Sequence, residues 1–392
     1  VQDVLADADT RASHLDGLMA GWSDHFFLAS PDGRFKLELE GHAQFRWLYN
    51  HRETEPDRHV YGFENTRSKL TLRGHVFRPE ITYLFRTDAT RNEPGLVEGL
   101  FFVRDLWMQY AFNNQWSVRV GQFKLPYNRE ELVSSAHQMV LERSLANENL
   151  NIGRSQGAML QYTSDYDKFY FAFSDGGVDS LGGFNNIVGI NPPNTPWSDE
   201  LADIAITMRY ESLMAGQWQQ FADLTSPPGD EFGMLMGLAA HYQDGQNNGA
   251  GSGDRRNETL WVNGTADLSI EWGGASLFAS AMYSHADHGS FGDFHIFGFV
   301  LQGGYYINPK LEVYARHEYG WWDFDNLEVT NLAVTTIGFN YYLDGHDLKL
   351  TTDIGWTWDG LEQAWESDIA GWRSQFTGDL QVVFRTQLQL MF

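Results

Sequence analysis

The stretch FKLELEGHAQFRWLY, residues 35–49, alternates apolar and polar side chains with a period of two. Successive side chains of a β-strand point to opposite faces, so this pattern predicts a strand with one apolar and one polar face. The apolar set is Phe35, Leu37, Leu39, Ala43, Phe45, Trp47 and Tyr49, and the polar set is Lys36, Glu38, Glu40, His42, Gln44 and Arg46.

The same alternation recurs to the end of the chain. Short connections alternate with long polar ones, and we interpret 212–231 as an elaborated turn on the short side. Residues 1–22 are the one stretch with helical spacing, which predicts a partly helical N-terminal segment, 1–32, followed by a β domain, 33–392. The sixteen predicted strands are 34–49, 63–77, 80–90, 101–112, 115–124, 156–163, 167–175, 201–211, 232–243, 258–271, 275–285, 293–307, 310–322, 331–343, 347–358 and 374–392.

Composition excludes several classes of protein. The 392 residues carry 27 Lys plus Arg against 52 Asp plus Glu, a formal charge of −25, which argues against a nucleic-acid partner. There is no cysteine, so disulfide scaffolds and thiolate chemistry are excluded. A mean hydropathy of −0.40, with no long apolar run, excludes a bundle of membrane-spanning helices.

The apolar faces of these strands must lie against either a second sheet or lipid. Lipid is favoured because most segments reach the about 9–11 residues that a spanning strand needs. Aromatic residues such as Trp47, Tyr49, Trp116 and Trp356 lie near segment ends, as at membrane interfaces. In hydrocarbon a sheet must close on itself. The pattern therefore predicts an all-β protein, a 16-stranded antiparallel transmembrane β-barrel, and a barrel of this size leaves an aqueous lumen.

Three stretches resemble the opening of the phosphate-selective porin O/P family. They are FFLASPDGRFKLELEGHAQFR (26–46), TRSKLTLRGHVFRPEITYLFRTDAT (66–90) and DLWMQYAFNNQWSVRVGQFKLPYNREELVSSAHQMVLERSLA (105–146). The resemblance implies a homotrimeric outer-membrane porin of a Gram-negative bacterium, surrounded by outer-membrane lipid and lipopolysaccharide. It also implies that the VGQFK-x-P element opens a third loop, 125–155, which folds inward and narrows the pore.

Face assignment gives the candidate pore-lining and constriction residues. The early strands send basic groups inward and the later strands send acidic ones, including Glu271, Glu312 and Glu318, so we expect a field across the lumen. In the third loop, local pairing of Arg129 with Glu131, or of Glu142 with Arg143, is the alternative to a role in the pore. The candidates are Lys36, Arg46, Arg67, Lys69, Arg73, Arg86, Arg119, Lys124, Arg129, Arg143, Glu130, Glu131, Asp267 and Asp353.

Signatures of catalysis or metal binding are weak. Residues 153–157 match G-x-S-x-G, but the strand-to-helix context of a nucleophile elbow is missing, so we expect no enzyme and no catalytic residue. We expect no cofactor and no bound metal. The alternatives are Ca²⁺ on an acidic loop such as 249–254, through Asp254, and a metal held by His285, Asp287 and His288.

The sequence predicts a passive channel for small hydrophilic solutes and ions, with a slight preference for anions such as phosphate. The first residue, Val1, implies that a signal peptide has been removed. Two alternatives stay open: a β-barrel enzyme of the outer membrane, and a secreted soluble β protein that binds carbohydrate through its aromatic residues.

Overall fold

The computed structural model describes residues 19–23, 25–53, 59–89, 101–177, 202, 204–244, 259–288, 292–324, 327–373 and 380–392. This part of the chain is almost entirely β-sheet. Its strands are β1 Met19–Ser23, β2 His25–Ala29, β3 Lys36–Arg52, β4 His59–Val76, β5 Arg78–Ala89, β6 Phe101–Ala111, β7 Trp116–Lys124, β8 Arg154–Thr163, β9 Asp167–Ser174, β10 Ile204–Ala215, β11 Gly233–Asp244, β12 Thr259–Trp272, β13 Ala275–His288, β14 Gly292–Asn308, β15 Leu311–Phe324, β16 Leu327–Asp344, β17 Leu348–Thr357 and β18 Gln381–Met391.

The sixteen strands β3–β18 form a closed antiparallel barrel. Each strand pairs with the next along the chain, and β18 pairs with β3 from Gln381 opposite Arg52 to Met391 opposite His42. Closure pairs the backbone groups of every strand with a neighbour, which hydrocarbon requires. The predicted 16-stranded barrel is therefore confirmed, strand for strand.

The two faces of the barrel wall differ as the period of two predicts. Phe45 points outward and is 49% exposed, whereas the next residue, Arg46, points inward and is 1% exposed. The outward set elsewhere is apolar and exposed, as at Val120, Leu238 and Ile354. An apolar outer surface around a polar interior is the arrangement of a transmembrane barrel and not of a soluble sandwich.

The N-terminal segment differs from the prediction. Residues 19–29 form the hairpin β1–β2, with Trp22 opposite Phe26, and not a helix. The cause lies at the barrel seam. Because β18 ends opposite His42, the edge of β3 from Lys36 to Leu39 is free to pair with β2. The helical prediction is wrong for 19–22, and residues 1–18 lie outside the described part.

The connections form two rims. One rim carries the short turns. Phe392 lies on this rim and exchanges backbone hydrogen bonds with Gly41. Residues 216–232 also lie on this rim as an elaborated turn with a 3₁₀ turn, Gln220–Ala222, as predicted. The opposite rim carries the longer loops, including the third loop, 125–153, which contains helices Arg129–Leu132 and Leu145–Leu150. No helix in the described ranges is long and apolar enough to cross a membrane.

Candidate functional site: the pore constriction

The third loop folds into the barrel, as predicted, and is held in shape by its own polar groups. Ser144 caps the helix Leu145–Leu150 by accepting a hydrogen bond from Asn147 N at 2.9 Å. Glu130, from the preceding helical turn, accepts hydrogen bonds from Ser144 N at 2.7 Å and Ser144 Oγ at 2.6 Å. Apolar side chains of the loop, such as Met139 and Leu150, are fully buried.

Glu142 ties this loop to the basic side of the barrel. Arg67 on β4 donates hydrogen bonds to both carboxylate oxygens, at 2.5 and 2.7 Å, and Arg46 on β3 donates to Oε1. These three side chains are buried. The backbone oxygen of Glu142 accepts a hydrogen bond from Arg316 on β15 at 2.7 Å. One residue therefore fixes the loop to both sides of the lumen.

The remaining contacts of the loop cover the inward face of β12–β17, which we call the acidic wall. Asn340 on β16 donates to Met139 O at 2.8 Å, and Lys349 on β17 donates to Gln138 O at 2.9 Å. Further along the wall, Arg129 donates to Ser269 Oγ on β12 at 2.9 Å. The loop thus lies on the acidic wall and separates it from the open part of the lumen.

Two carboxylates of the acidic wall are paired with arginines beneath the loop. Arg209 makes a bidentate pair with Asp267, at 2.8 and 3.0 Å. Arg385 makes the same kind of pair with Asp353, at 2.8 and 2.9 Å. Such pairs satisfy a buried carboxylate with two charge-assisted hydrogen bonds. These two carboxylates therefore do not face the solute path, whereas the expected field across the lumen stays a prediction.

A cavity of about 480 Å³ remains between the loop and strands β3–β8. The strands supply most of its lining, and the loop 358–380 contributes Ile369. Seven basic side chains line it against four acidic ones, an excess of three positive charges. They are Arg67, Lys69, Arg86, Arg104, Lys124, Arg143 and Arg154, against Glu40, Asp88, Glu131 and Glu148.

Two loop carboxylates of this lining have opposite surroundings. Burial opposes the ionisation of Glu131, but Arg143 at 3.1 Å and Lys124 at 3.0 Å outweigh it and hold the pKa of Glu131 well below its usual range. Glu148 accepts a hydrogen bond from Ser367 Oγ, yet burial, reinforced by the nearby Glu142 charge, raises the pKa of Glu148 to about 7. Glu131 therefore stays charged, whereas Glu148 titrates near neutral pH.

Six of the predicted candidates line this cavity: Arg67, Lys69, Arg86, Lys124, Glu131 and Arg143. Lys69 donates to Ser135 Oγ at 2.7 Å, so it faces the loop across the cavity.

Other candidates lie elsewhere. Lys36 and Arg73 pair with Glu38, at 2.6 and 2.9 Å, and Arg119 stacks on Trp107 at 4.0 Å. The remaining five are buried within the loop or beneath it, away from this cavity: Arg46, Arg129, Glu130, Asp267 and Asp353.

Sequence reasoning missed two inward arginines, and its alternative of local pairs within the loop named the wrong partners. Arg209 and Arg316 each stand two residues before a glutamate on the same inward face, so the period of two places them there. Glu131 pairs with Lys124 and Arg143 and not with Arg129. Glu142 pairs across the lumen and not with Arg143, because sequence spacing does not show where the loop docks.

The G-x-S-x-G match does not form a nucleophile elbow. Ser155, of the G-x-S-x-G match, is the second residue of strand β8 and donates to Gln156 O at 3.4 Å. It does not stand on a turn between a strand and a helix, which the nucleophile elbow requires. The calcium candidate at 249–254 lies outside the described residues. In the described part of the chain, no three His, Asp or Glu side chains converge as they do around a metal.

Comparisons with known proteins agree with this geometry. Residues 35–185 match the family model described as "Phosphate-selective porin O and P". An uncharacterized protein of Aquifex aeolicus (strain VF5) is 25% identical over 345 residues, which cover 81% of each chain.

Two solved structures share the fold. The anion-selective porin from Comamonas acidovorans superposes with a TM-score of 0.58 and 13% identity, over 91% of this chain and 99% of the porin. The trimer form of OmpT, an outer membrane protein of Vibrio cholerae, superposes with a TM-score of 0.54 and 10% identity, over 91% of this chain and 99% of the OmpT chain.

The closed barrel, its inward loop and these matches define the protein as an outer-membrane porin of a Gram-negative bacterium. Within that class, the predicted resemblance to the phosphate-selective porin O/P family is confirmed over residues 35–185, which contain seven of the sixteen barrel strands.

Proposed function

We propose that this porin is a passive diffusion channel whose constriction favours small hydrophilic anions, phosphate among them. The observation that carries the proposal is the excess of three positive charges around the cavity. The third loop creates this excess, because it removes the paired acidic wall from the solute path and leaves the open space beside the basic strands.

The total charge of −25 does not reverse this preference. At physiological salt the Debye length is about 8 Å, so charges on distant loops are screened at the constriction. A single lining charge about 8 Å from a passing ion contributes about 0.5 kcal/mol even at the dielectric constant of water. That energy corresponds to roughly a twofold change in occupancy.

The partners we propose are other copies of the chain and the membrane. A homotrimer is supported by the fold shared with the trimer form of OmpT. Outer-membrane lipid and lipopolysaccharide are the partners that suit the apolar outer surface. We further propose that the protein catalyses no reaction and needs no resident cofactor, since the lining groups are engaged in ion pairs that shape a pore.

Reversal potentials across planar bilayers test this function. In a KCl gradient we expect steady current steps and an anion-favouring reversal potential. Lys69→Gln and Arg104→Gln each remove one lining charge, so each lowers the anion-to-cation permeability ratio about twofold. The control is Lys310→Gln, an exposed lysine in the turn before β15, which leaves the ratio unchanged.

Two results would overturn the proposal. A protein without steady current steps is not an open channel, which favours the alternative of an occluded barrel enzyme. A wild-type channel that favours cations, or a ratio that Lys69→Gln and Arg104→Gln leave unmoved, contradicts the basic constriction.

A further inference from the structure

Two hairpins of the barrel carry the same short pattern. Residues 49–53 read YNHRE and 283–287 read YSHAD. The following strands contain HVYGF at 59–63, where β4 begins, and HIFGF at 295–299, within β14. The registers also match, with His51 opposite His59 and His285 opposite His295. The repeat therefore places a cross-strand histidine pair on β3–β4 and again on β13–β14.

The side chains adopt nearly identical arrangements at both places. The imidazole rings of His51 and His59 stack with centroids 4.7 Å apart and planes at 16°. Those of His285 and His295 stack at 4.6 Å and 22°. In each hairpin a tyrosine hydroxyl lies 2.7 Å from Nδ1 of the second histidine, Tyr49 from His59 and Tyr283 from His295.

Both pairs lie on the outer surface of the barrel, at the rim of the longer loops. They share the outward face with exposed side chains such as Tyr61 and Tyr283. The period of two also puts one carboxylate beyond each pair on that face, Glu53 in one hairpin and Asp287 in the other. Each hairpin thus carries two imidazoles on its outward face, with an acidic residue two positions further along the strand, away from the pore.

We propose that each hairpin binds one transition-metal dication of the kind that prefers imidazole, such as Cu²⁺, Ni²⁺ or Zn²⁺. The two histidines of a pair stand at directly opposite positions, where Cβ atoms lie about 4.5–5.5 Å apart. When His51 or His285 turns out of the stack, both imidazoles direct a nitrogen lone pair at one metal ion. Since no three protein ligands converge in the described residues, water completes the coordination. This is a binding site outside the pore and independent of solute passage.

The tyrosine supports a metal in preference to an anion. When His59 or His295 donates its Nδ1–H to the tyrosine oxygen, the Nε2 lone pair is left for a metal, and such outer hydrogen bonds commonly orient ligating histidines. An anion needs protonated imidazoles and is repelled by the neighbouring Glu53 and Asp287. A metal dication needs neutral imidazoles and is attracted by those carboxylates.

Copper titration of the purified, detergent-solubilised porin tests this proposal. We expect the wild-type chain to bind two more Cu²⁺ ions at pH 7.5 than the double variant His59→Gln/His295→Gln, with each single variant losing one. The control is His317→Gln. His317 is exposed, shares a hydrogen bond with Thr335 and has no facing imidazole partner, so this variant should bind as many Cu²⁺ ions as the wild type. Tyr49→Phe and Tyr283→Phe should each weaken one site by about tenfold.

Two results of the copper titration would refute the proposed sites. Equal stoichiometry in the wild type and the double variant overturns the proposal. So does a loss in His317→Gln that equals the loss in His59→Gln. Steady current steps from each variant in a planar bilayer show that its barrel is intact, so that a lost copper ion reports a lost ligand and not a misfolded protein.

Discussion

Replacing Glu142 by glutamine removes the charge that holds the third loop against the basic strands. The substitution keeps the size of the side chain and one acceptor oxygen. It removes the carboxylate that the buried guanidinium groups of Arg46 and Arg67 share. Arg46 keeps Gln387 Oε1 at 2.7 Å, the backbone oxygen of Ile369 and the more distant carboxylate of Glu64 at 3.5 Å, and Arg67 keeps Gln44 Oε1 at 2.9 Å.

The size of the effect follows from these partners. Removing one member of a buried ion pair costs about 3–5 kcal/mol, because the other charge is left uncompensated. The surviving amide contacts put Glu142→Gln at the lower end, about 3 kcal/mol. Since about 1.4 kcal/mol is a tenfold change, the undocked fraction of the loop should rise about a hundredfold.

Native-state proteolysis measures that fraction. Cleavage within residues 125–153 tracks the population of the open form when opening and closing are fast compared with cleavage. We expect the cleavage rate of Glu142→Gln to rise about a hundredfold over wild type. Glu80→Gln, which alters an exposed carboxylate on β5, is the matched control and should leave the rate unchanged.

A double-mutant cycle separates the ion pair from general damage. If the Arg67–Glu142 pair fixes the loop, Arg67→Gln/Glu142→Gln should be less impaired than the sum of the two single variants. A cleavage rate for Glu142→Gln that equals that of Glu80→Gln would refute the assigned role of Glu142. Strict additivity in the cycle would refute the direct pairing with Arg67.

Two further predictions concern pH and backbone packing. Burial raises the pKa of Glu148 to about 7, so this group is mostly neutral at pH 6 and mostly charged at pH 8. Anion preference should therefore fall as pH rises, and the reversal potential of Glu148→Gln should depend less on pH than that of the wild type. Gly74→Ala should destabilise the barrel by at least about 3 kcal/mol in thermal unfolding, because the added Cβ would lie 1.8 Å from Lys36 O. The control is Gly62→Ala, whose Cβ meets nothing within 4 Å, and its stability should stay within about 0.5 kcal/mol of wild type.

The barrel could be predicted because its signal is local and repeated. A period of two fixes which side chains face lipid and which face the lumen, and this assignment held from Arg46 on the first barrel strand to Arg385 on the last. The N-terminal hairpin was missed for the opposite reason. β18 pairs with β3 only as far as His42, which leaves residues 36–39 of β3 for β2. Only the register of the two strands shows this.

The constriction could be predicted only in part. The sequence identified the loop and six lining residues, because both follow from strand order and facing. It did not show that the loop would rest on the acidic wall, since that depends on contacts such as Asn340 to Met139, 201 residues apart. The pairs Arg209–Asp267 and Arg385–Asp353 were missed as well, because each pairing depends on a three-dimensional arrangement of strands and loop.

The third loop covers the acidic wall and leaves the basic strands open to solutes, and this geometry determines the anion preference. The chain has no cysteine, so single cysteines can be probed without background by a charged, membrane-impermeant thiol reagent during current recording. We expect Lys69→Cys and Arg104→Cys to react and change the current, and the covered positions Ser280→Cys and Thr336→Cys to stay unreactive. Equal reaction at all four positions would contradict the claim.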